Sequence, residues 1–238
     1  MAGAWSSAKL QQWVRLPTTW IEAGELRAFK WKPEYGGQET AALLVLTVIA
    51  HHSDGSTGVA KLTYDELSSK AGISRAMVSA ALDILDDRNL IDRTVAGRGT
   101  YGLANFNPAA GWAKLPAKGL YSGNVVAAFQ HLTLRNKNEL AALKMYLLFA
   151  AFRDNDSNYA QISYDKITQR TGISRETIRP GLSILAALGL VHVENTPSSA
   201  VIAGGTLATF NRYRLAHLDS YRHAGTTGRA GIEAFDFT

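Results

Sequence analysis

Two arginines stand 100 residues apart in the same local sequence, Gly-Ile-Ser-Arg: Arg75 follows Ser74, and Arg175 follows Ser174. A serine that begins a helix caps it, and the free N–H groups of the first helical turn then suit a phosphate. An arginine at that end can also bond guanine through two parallel hydrogen bonds. These residue types therefore indicate recognition of phosphates and base edges. The alternative is a pair of solvated arginines at helix ends.

Other side chains extend this chemistry if each serine begins a helix. Glu176 can accept a hydrogen bond from cytosine N4, and Arg179 lies one turn after Arg175. Arg98 stands between two glycines, at a turn from which it can enter a minor groove or meet a phosphate. The complete set of candidate DNA-binding residues is Ser74, Arg75, Ala76, Ser79, Arg98, Ser174, Arg175, Glu176, Arg179 and Arg212.

The segments that carry these residues belong to a long internal repeat. Residues 62–93 and 162–193 align without a gap, and 19 of the 68 positions from Leu26 to Arg93 are identical to the residue 100 positions later. Trp13-Val14-Arg15-Leu16-Pro17 also resembles Trp112-Ala113-Lys114-Leu115-Pro116. Repeats of this kind indicate a duplicated structural unit. We therefore predict two domains, residues 13–106 and 112–215, followed by a C-terminal tail, residues 216–238.

Each repeat predicts two short helices joined by a tight turn. Thr63 and Glu66 form a capping box for a helix that ends near Gly72, whereas Lys166 leaves Ser163 with half of such a box. In the next helix Val78, Ala81, Leu82 and Leu85 share one face at helical spacing.

Further segments complete the unit. Residues 39–52 and 139–152 predict buried core helices. Residues 91–94 and 101–106, around the turn 96–99, predict a β-hairpin. In the second unit a longer loop, residues 196–206, separates the corresponding strands.

These features resemble the winged helix-turn-helix superfamily of bacterial DNA-binding proteins. The resemblance rests on GISRAMVSAALDILDDRNLI and GISRETIRPGLSILAALGLV, and covers about 45 residues of each unit. It implies a mainly α fold with small β-hairpin wings (α+β), arranged as two tandem winged-helix domains related by internal duplication. Asn89 replaces the usual glycine, and Pro180 falls inside the second recognition helix. The alternative is a helical corner in an all-α protein.

The two units differ in ways that bear on recognition. Residues 62–93 carry four basic and six acidic residues, whereas residues 162–193 carry four basic and two acidic. Asp83, Asp86 and Asp87 would repel phosphate from the end of the first recognition helix. Proline removes a hydrogen bond within a helix, so we predict a kinked or shortened second recognition helix. An asymmetric DNA site follows.

Composition excludes several function classes. The chain has no cysteine, which excludes thiolate metal sites and fits a reducing cytoplasm. Its longest apolar run, residues 41–50, is too short to span a bilayer, and no signal peptide is indicated. His51 and His52 are adjacent and diverge on a helix, so with Asp54 they are interpreted as residues at a loop edge rather than metal ligands. Neither an enzyme, a cofactor nor a metal is expected.

The sequence therefore predicts a cytoplasmic, sequence-specific binder of double-stranded DNA, and most simply a transcriptional regulator of plasmid, phage or mobile-element type. A plasmid-type replication initiator that binds origin repeats is one alternative. A winged-helix scaffold subunit of a chromosome-organising complex is another. The net charge of +5 fits a polyanionic partner. A homodimer, and a protein partner for the C-terminal tail, are left open.

Overall fold

The computed structural model of the chain describes residues 10–94, 97–201 and 207–218, with the backbone alone for residues 195–201 and 207–210. In these ranges it is an α+β structure of seven α-helices and small antiparallel sheets. The helices are α1 Thr19–Ala23, α2 Gly36–His52, α3 Tyr64–Ala71, α4 Arg75–Asp87, α5 Lys137–Ala151, α6 Tyr164–Thr171 and α7 Arg175–Ala187. The strands are β1 Trp13–Pro17, β2 Val59–Lys61, β3 Ile91–Asp92, β4 Thr100–Leu103, β5 Trp112–Pro116, β6 Tyr121–Ser122, β7 Val125–Val126, β8 Tyr159–Gln161, β9 Val191–Val201 and β10 Leu207–Leu215.

Two long helices form the centre of the core. Helices α2 and α5 correspond to the predicted core helices, and they contact each other. Their side chains are buried almost all round, as expected for helices enclosed by other elements. Thr40 and Thr47 lie inside α2 because each hydroxyl donates to the carbonyl four residues earlier, so no donor is left unsatisfied.

The two short helices and the tight turn that the sequence predicts for the first half are present. Thr63 and Glu66 form the capping box of α3, and Gly72 ends that helix in the left-handed conformation at φ 69°. Helix α4 then buries Val78, Ala81, Leu82 and Leu85 against α2. Asn89, which departs from the superfamily pattern, adopts φ 52°, close to the 64° of Gly189. Asparagine tolerates this conformation, so the departure leaves the turn intact.

In the second half, α7 is not shortened at Pro180, so that alternative of the prediction is wrong, while a kink stays a prediction. Helix α7 has 13 residues, the same number as α4. Pro180 is exposed, while Ile178, Gly181 and Leu182 on the other face are buried, and the helix packs on α5. A Cβ on Gly181 would stand 3.3 Å from the backbone nitrogen of Ala142, so glycine permits a close approach of the two helices. Packing on that face maintains the helix despite the lost hydrogen bond.

Each half has a three-stranded antiparallel sheet, in the order β2-β4-β3 in the first half and β8-β10-β9 in the second. One strand of each sheet precedes the two short helices and the other two strands follow them. Strand β9 extends to Val201 and β10 begins at Leu207, so the connection between these strands is shorter than the predicted loop, residues 196–206. Pro197 is accommodated because β9 is an edge strand and the register shifts between Leu207 and Thr209. Residues 202–206 and Ala96 lie outside the described ranges.

The similar segments 13–17 and 112–116 pair with each other as an antiparallel ribbon, β1–β5. Trp13 and Trp112 stack at 5.9 Å across it, and Arg15 lies 4.8 Å from the Trp112 ring centroid. The inward residues Leu16 and Leu115 are fully buried. The ribbon therefore joins the two halves through both backbone hydrogen bonds and apolar contact.

The segments after the ribbon strands cross over between the halves. The first arm, residues 18–31, packs its helix α1 and its 3-10 turn Glu25–Ala28 against α5 and α6. The second arm, residues 117–134, packs β7 and its 3-10 turn Ala127–His131 against α3. Arg170 of α6 donates to the carbonyl of Glu22, and Gln130 donates to the carbonyls of Ser69 and Lys70. Each helix-turn-helix is thus braced by an arm from the other half.

A continuous set of buried residues runs through both halves. The domain bounds expected from the sequence, residues 13–106 and 112–215, therefore stay a prediction. Within the described residues, no helix is long and apolar enough to cross a membrane. Of the predicted C-terminal tail, residues 219–238 lie outside the described ranges.

Candidate nucleic-acid interface

The first predicted contact surface is the exposed start of α4. Ser74 caps the helix, its hydroxyl oxygen accepting a hydrogen bond from the backbone N–H of Met77 at 3.2 Å. Arg75 and Ala76 are exposed and Ser79 is half-buried, while Val78 on the opposite face is fully buried. One face of α4 is therefore fixed in the core, and its first turn presents side chains to solvent.

Each of the two recurring arginines is held by an aspartate of the preceding helix. Arg75 donates to Asp65 at 2.7 Å, and Arg175 donates to Asp165 at 2.7 Å. The arginine side chains are 65% and 70% exposed, so each ion pair orients a guanidinium at the surface. The pair engages one of the five N–H donors of an arginine, and the rest of the exposed group can reach a base or a phosphate. Asp65 and Asp165 recur in the sequence, but their role was missed there.

The start of α7 differs from that of α4 in its polar contacts. The hydroxyl of Ser174 lies 2.7 Å from the hydroxyl of Thr177 and 3.2 Å from a carboxylate oxygen of Glu176, and it makes no cap to a backbone N–H. Glu176 and Arg179 are exposed. Arg175, Glu176 and Arg179 thus present two cations and one anion on the first turns of this helix.

The two remaining candidate residues lie on the sheets. Arg98 is exposed between Gly97 and Gly99, whose φ values of 81° and 77° turn the backbone just before β4. Arg212 is half-buried on the central strand β10, opposite Glu194, with its guanidinium 5.8 Å from the Tyr159 ring centroid. Arg212 therefore lies within the sheet surface and away from the turn of the hairpin.

The acidic end of α4 is partly neutralised within the molecule. Asp83 accepts a hydrogen bond from Arg93 at 2.7 Å, and Arg93 also reaches the hydroxyl of Tyr64. Asp86 and Asp87 are exposed. The repulsion of phosphate expected from this end therefore rests on two carboxylates rather than three.

Further cations beside α7 were missed by the sequence argument. Arg27 and Lys30 of the first arm and Lys137 at the start of α5 are exposed, and they line the same cleft as Gly172 and Thr177. Arg27 and Lys30 precede α7 by about 150 residues, so nothing in the local sequence places them there. The crossing of the arms brings them to the second helix-turn-helix.

The histidines of α2 are structural. His51 is buried, which corrects its assignment to a loop edge, and its Nδ1 lies 3.1 Å from the Tyr121 hydroxyl. The Nε2 of His52 lies 3.3 Å from the same hydroxyl. Burial lowers the pKa of His51 to about 3 and that of His52 to about 4, so both rings are neutral near pH 7. Asp54 instead accepts hydrogen bonds from the backbone of Ser56 and Thr57.

In the described part of the chain, no group of three or more histidine, aspartate or glutamate side chains is arranged to hold a metal ion. No protein-family model matches the chain, and no curated protein matches it significantly.

Proposed function

We propose that this protein is a cytoplasmic, sequence-specific binder of double-stranded DNA, and that it regulates transcription in the manner of plasmid or phage regulators. In this proposal the two halves are tandem winged-helix domains that arose by duplication. Helices α4 and α7 are the recognition helices, and the turn at Arg98 is the tip of the first wing.

The observation that carries the proposal is the matched geometry of Arg75 and Arg175. Each begins a helix whose other face is buried, and each is oriented by an aspartate at the same distance of 2.7 Å. Exposed pairs contribute at most about 1 kcal/mol, so stability is a weak reason for them. A stronger reason for these ion pairs is that they orient each guanidinium toward a base.

The different charges of the two recognition helices support an asymmetric site. Helix α7 presents Arg175, Glu176 and Arg179 on its first turns, whereas α4 presents Arg75, Ala76 and Ser79. Because arginine and glutamate read different base edges, the two halves would select different half-sites. Residues 162–193 carry two more basic than acidic residues, whereas residues 62–93 carry two fewer, so the second half would be the stronger phosphate binder.

The test is selection of bound duplexes from a random pool by the full chain, at about 50 and 200 mM salt. An enriched motif of two unlike halves is expected. Arg75→Ala should relax one half of the motif and Arg175→Ala the other, each at a cost of about 1–3 kcal/mol in affinity. Lys118→Ala, which removes an exposed cation next to the ribbon, is the matched control and should leave the motif unchanged.

Binding without an enriched motif, or the same loss for Lys118→Ala as for Arg75→Ala, would contradict specific recognition. A second candidate function is a scaffold that binds another protein, and the exposed Asp86 and Asp87 at the end of α4 favour it. That function predicts no measurable affinity for duplex DNA at the higher salt concentration.

A further inference from the structure

A cleft beside the start of α7 carries chemistry that sequence-specific recognition does not use. It lies between the end of the first arm, the first half of α5 and the turn before α7, and this open cleft has a volume of about 650 Å³. That volume falls within the range of about 300–1,000 Å³ that is typical of small-molecule sites.

The polar lining of the cleft is cationic. Arg27, Lys30, Lys137 and Lys144 line it, and none of its lining residues, all of them in the described ranges, is acidic. Four cations facing one space repel each other unless an anion lies among them. The lining therefore fits an anionic ligand with more than one negative charge.

Lys144 is the cation that distinguishes this cleft from a basic surface. It is 3% exposed, and its ammonium group donates to the backbone carbonyl of Phe29 at 2.8 Å. That bond uses one of its three N–H donors. The nearby carboxylate of Glu39 is bonded through both of its oxygens to Arg88, so Lys144 has no carboxylate of its own within hydrogen-bonding distance among the described residues. Burial lowers the pKa of Lys144 to about 8, which leaves it mostly protonated at pH 7.

The rest of the lining is apolar or aromatic. Phe29, Leu140 and Ile173 provide a buried apolar surface, and the half-buried Trp31 stands beside it. An aromatic ring next to cations suits a ligand that has a planar body as well as negative groups.

The corresponding positions of the other half carry none of this chemistry. Counted 100 residues away, Arg27, Lys30, Lys137 and Lys144 become Ala127, Gln130, Gly37 and Leu44. The side chain of Gln130 also fills the space at Gly72, where a Cβ would stand 2.9 Å from its Oε1. The repeated architecture does not require the four cations, so the cleft is a feature of the second half alone.

We infer that this cleft binds a small organic phosphate of nucleotide size, with its phosphates on the four cations and its planar body against Trp31. A phosphodiester of duplex DNA is held in a rigid helix outside the cleft in which Lys144 is buried, whereas a free phosphate group is small compared with the cleft volume of about 650 Å³. Because Gly172, Ile173 and Thr177 also line the cleft, the ligand contacts the turn that positions α7. A role of this ligand in regulating DNA binding depends on the proposed function. Binding of the ligand to the cleft does not depend on it.

The experiment titrates the full chain with ATP, AMP, inorganic phosphate and uncharged adenosine, by calorimetry and by fluorescence of the tryptophans. Saturable 1:1 binding of ATP or AMP is expected, with no binding of adenosine. Lys144→Met should weaken binding about tenfold or more, because it removes a charge-assisted bond and keeps the side-chain volume. Lys30→Ser, at an exposed position that does not affect the core, should also weaken it, whereas Lys118→Ala should not.

Absence of saturable nucleotide binding at millimolar concentration, or equal binding by Lys144→Met, Lys30→Ser and the unmodified protein, would overturn the inference. A second measurement separates a free nucleotide from the DNA backbone. In the absence of nucleotide, Lys144→Met should bind duplex DNA as well as the unmodified protein does, and a tenfold loss there would assign the cleft to DNA instead. If the protein binds nucleotide but no DNA, the cleft remains a nucleotide site and only the proposed function is rejected.

Discussion

Mild acid should destabilise this protein through His51. The ring is 3% exposed at the end of α2, where it contacts Tyr121 of the second arm edge-on, at 5.5 Å between ring centroids. Burial first, and the neighbouring His52 second, lower the pKa of His51 to about 3. In the unfolded chain a histidine has a pKa of about 6.5. Between these values the unfolded state gains a proton that the folded state does not, so stability falls as pH falls.

The size of the effect at pH 5 depends only on the unfolded pKa, because the folded ring is still neutral there. The interval of about 1.5 pH units below 6.5 corresponds to a loss of about 2 kcal/mol from His51. His52, which is partly exposed and has a pKa lowered to about 4, adds a smaller loss in the same direction. Asp54, Glu66 and Asp154 have pKa values lowered by hydrogen bonds, so their contributions are lost at lower pH.

The assay is urea unfolding of the full chain at pH 7, 6 and 5, with the free energy of unfolding extrapolated to water. His51→Phe keeps an aromatic ring beside Tyr121 and removes the titrating group. Between pH 7 and pH 5 the unfolding free energy of this variant should fall by about 2 kcal/mol less than that of the unmodified protein. His131→Gln changes an exposed histidine and should leave the loss unchanged. Parallel pH profiles for His51→Phe and the unmodified protein would refute the reasoning.

Three further comparisons test the energetics of the fold and of the interface. Asp65→Asn removes the carboxylate that orients Arg75, so duplex affinity measured by anisotropy should fall by up to about fivefold, with less than about 1 kcal/mol change in stability. A higher affinity would mean that Asp65 acts only by repelling phosphates, and would contradict the orienting role of the ion pair. Thr63→Ala should cost about 1 kcal/mol of unfolding free energy, and Ser163→Ala less, because only Thr63 belongs to a complete capping box. Arg88→Met should cost about 2–3 kcal/mol in urea unfolding, because it leaves the half-buried Glu39 without its partner. The control Arg93→Met, whose partner Asp83 is 61% exposed, should cost less than about 1 kcal/mol, and equal costs would contradict this account.

The local features of the fold were predictable because they depend on neighbours in the sequence. The capping box at Thr63, the left-handed Gly72 and the buried face of α4 follow from residues three or four positions apart. The same holds for the exposed positions of Arg75 and Arg175, since the serine before each one fixes where the helix begins.

The features that the sequence did not reveal depend on distant partners. Nothing near Arg27 or Gln130 shows that each arm crosses to the other half, because that choice follows from packing between segments far apart in the chain. Pro180 lowers the intrinsic preference of α7 for a helix, but contact with α5 outweighs it. Strand β9 tolerates Pro197 because its position at the sheet edge, which only the topology defines, does not need every N–H.

The β1–β5 ribbon has a consequence for how the protein is made. Trp13–Pro17 leaves the ribosome first, but its partner Trp112–Pro116 is synthesised only after a further stretch of about 100 residues. At about 5 to 20 residues per second, β1 waits about 5 to 20 s for its partner. During that time the apolar side chains of Val14 and Leu16, buried in the finished protein, lack the strand that covers them. Strand β1 is therefore among the last of the described elements to gain its native contacts, although it is the first of them to be synthesised.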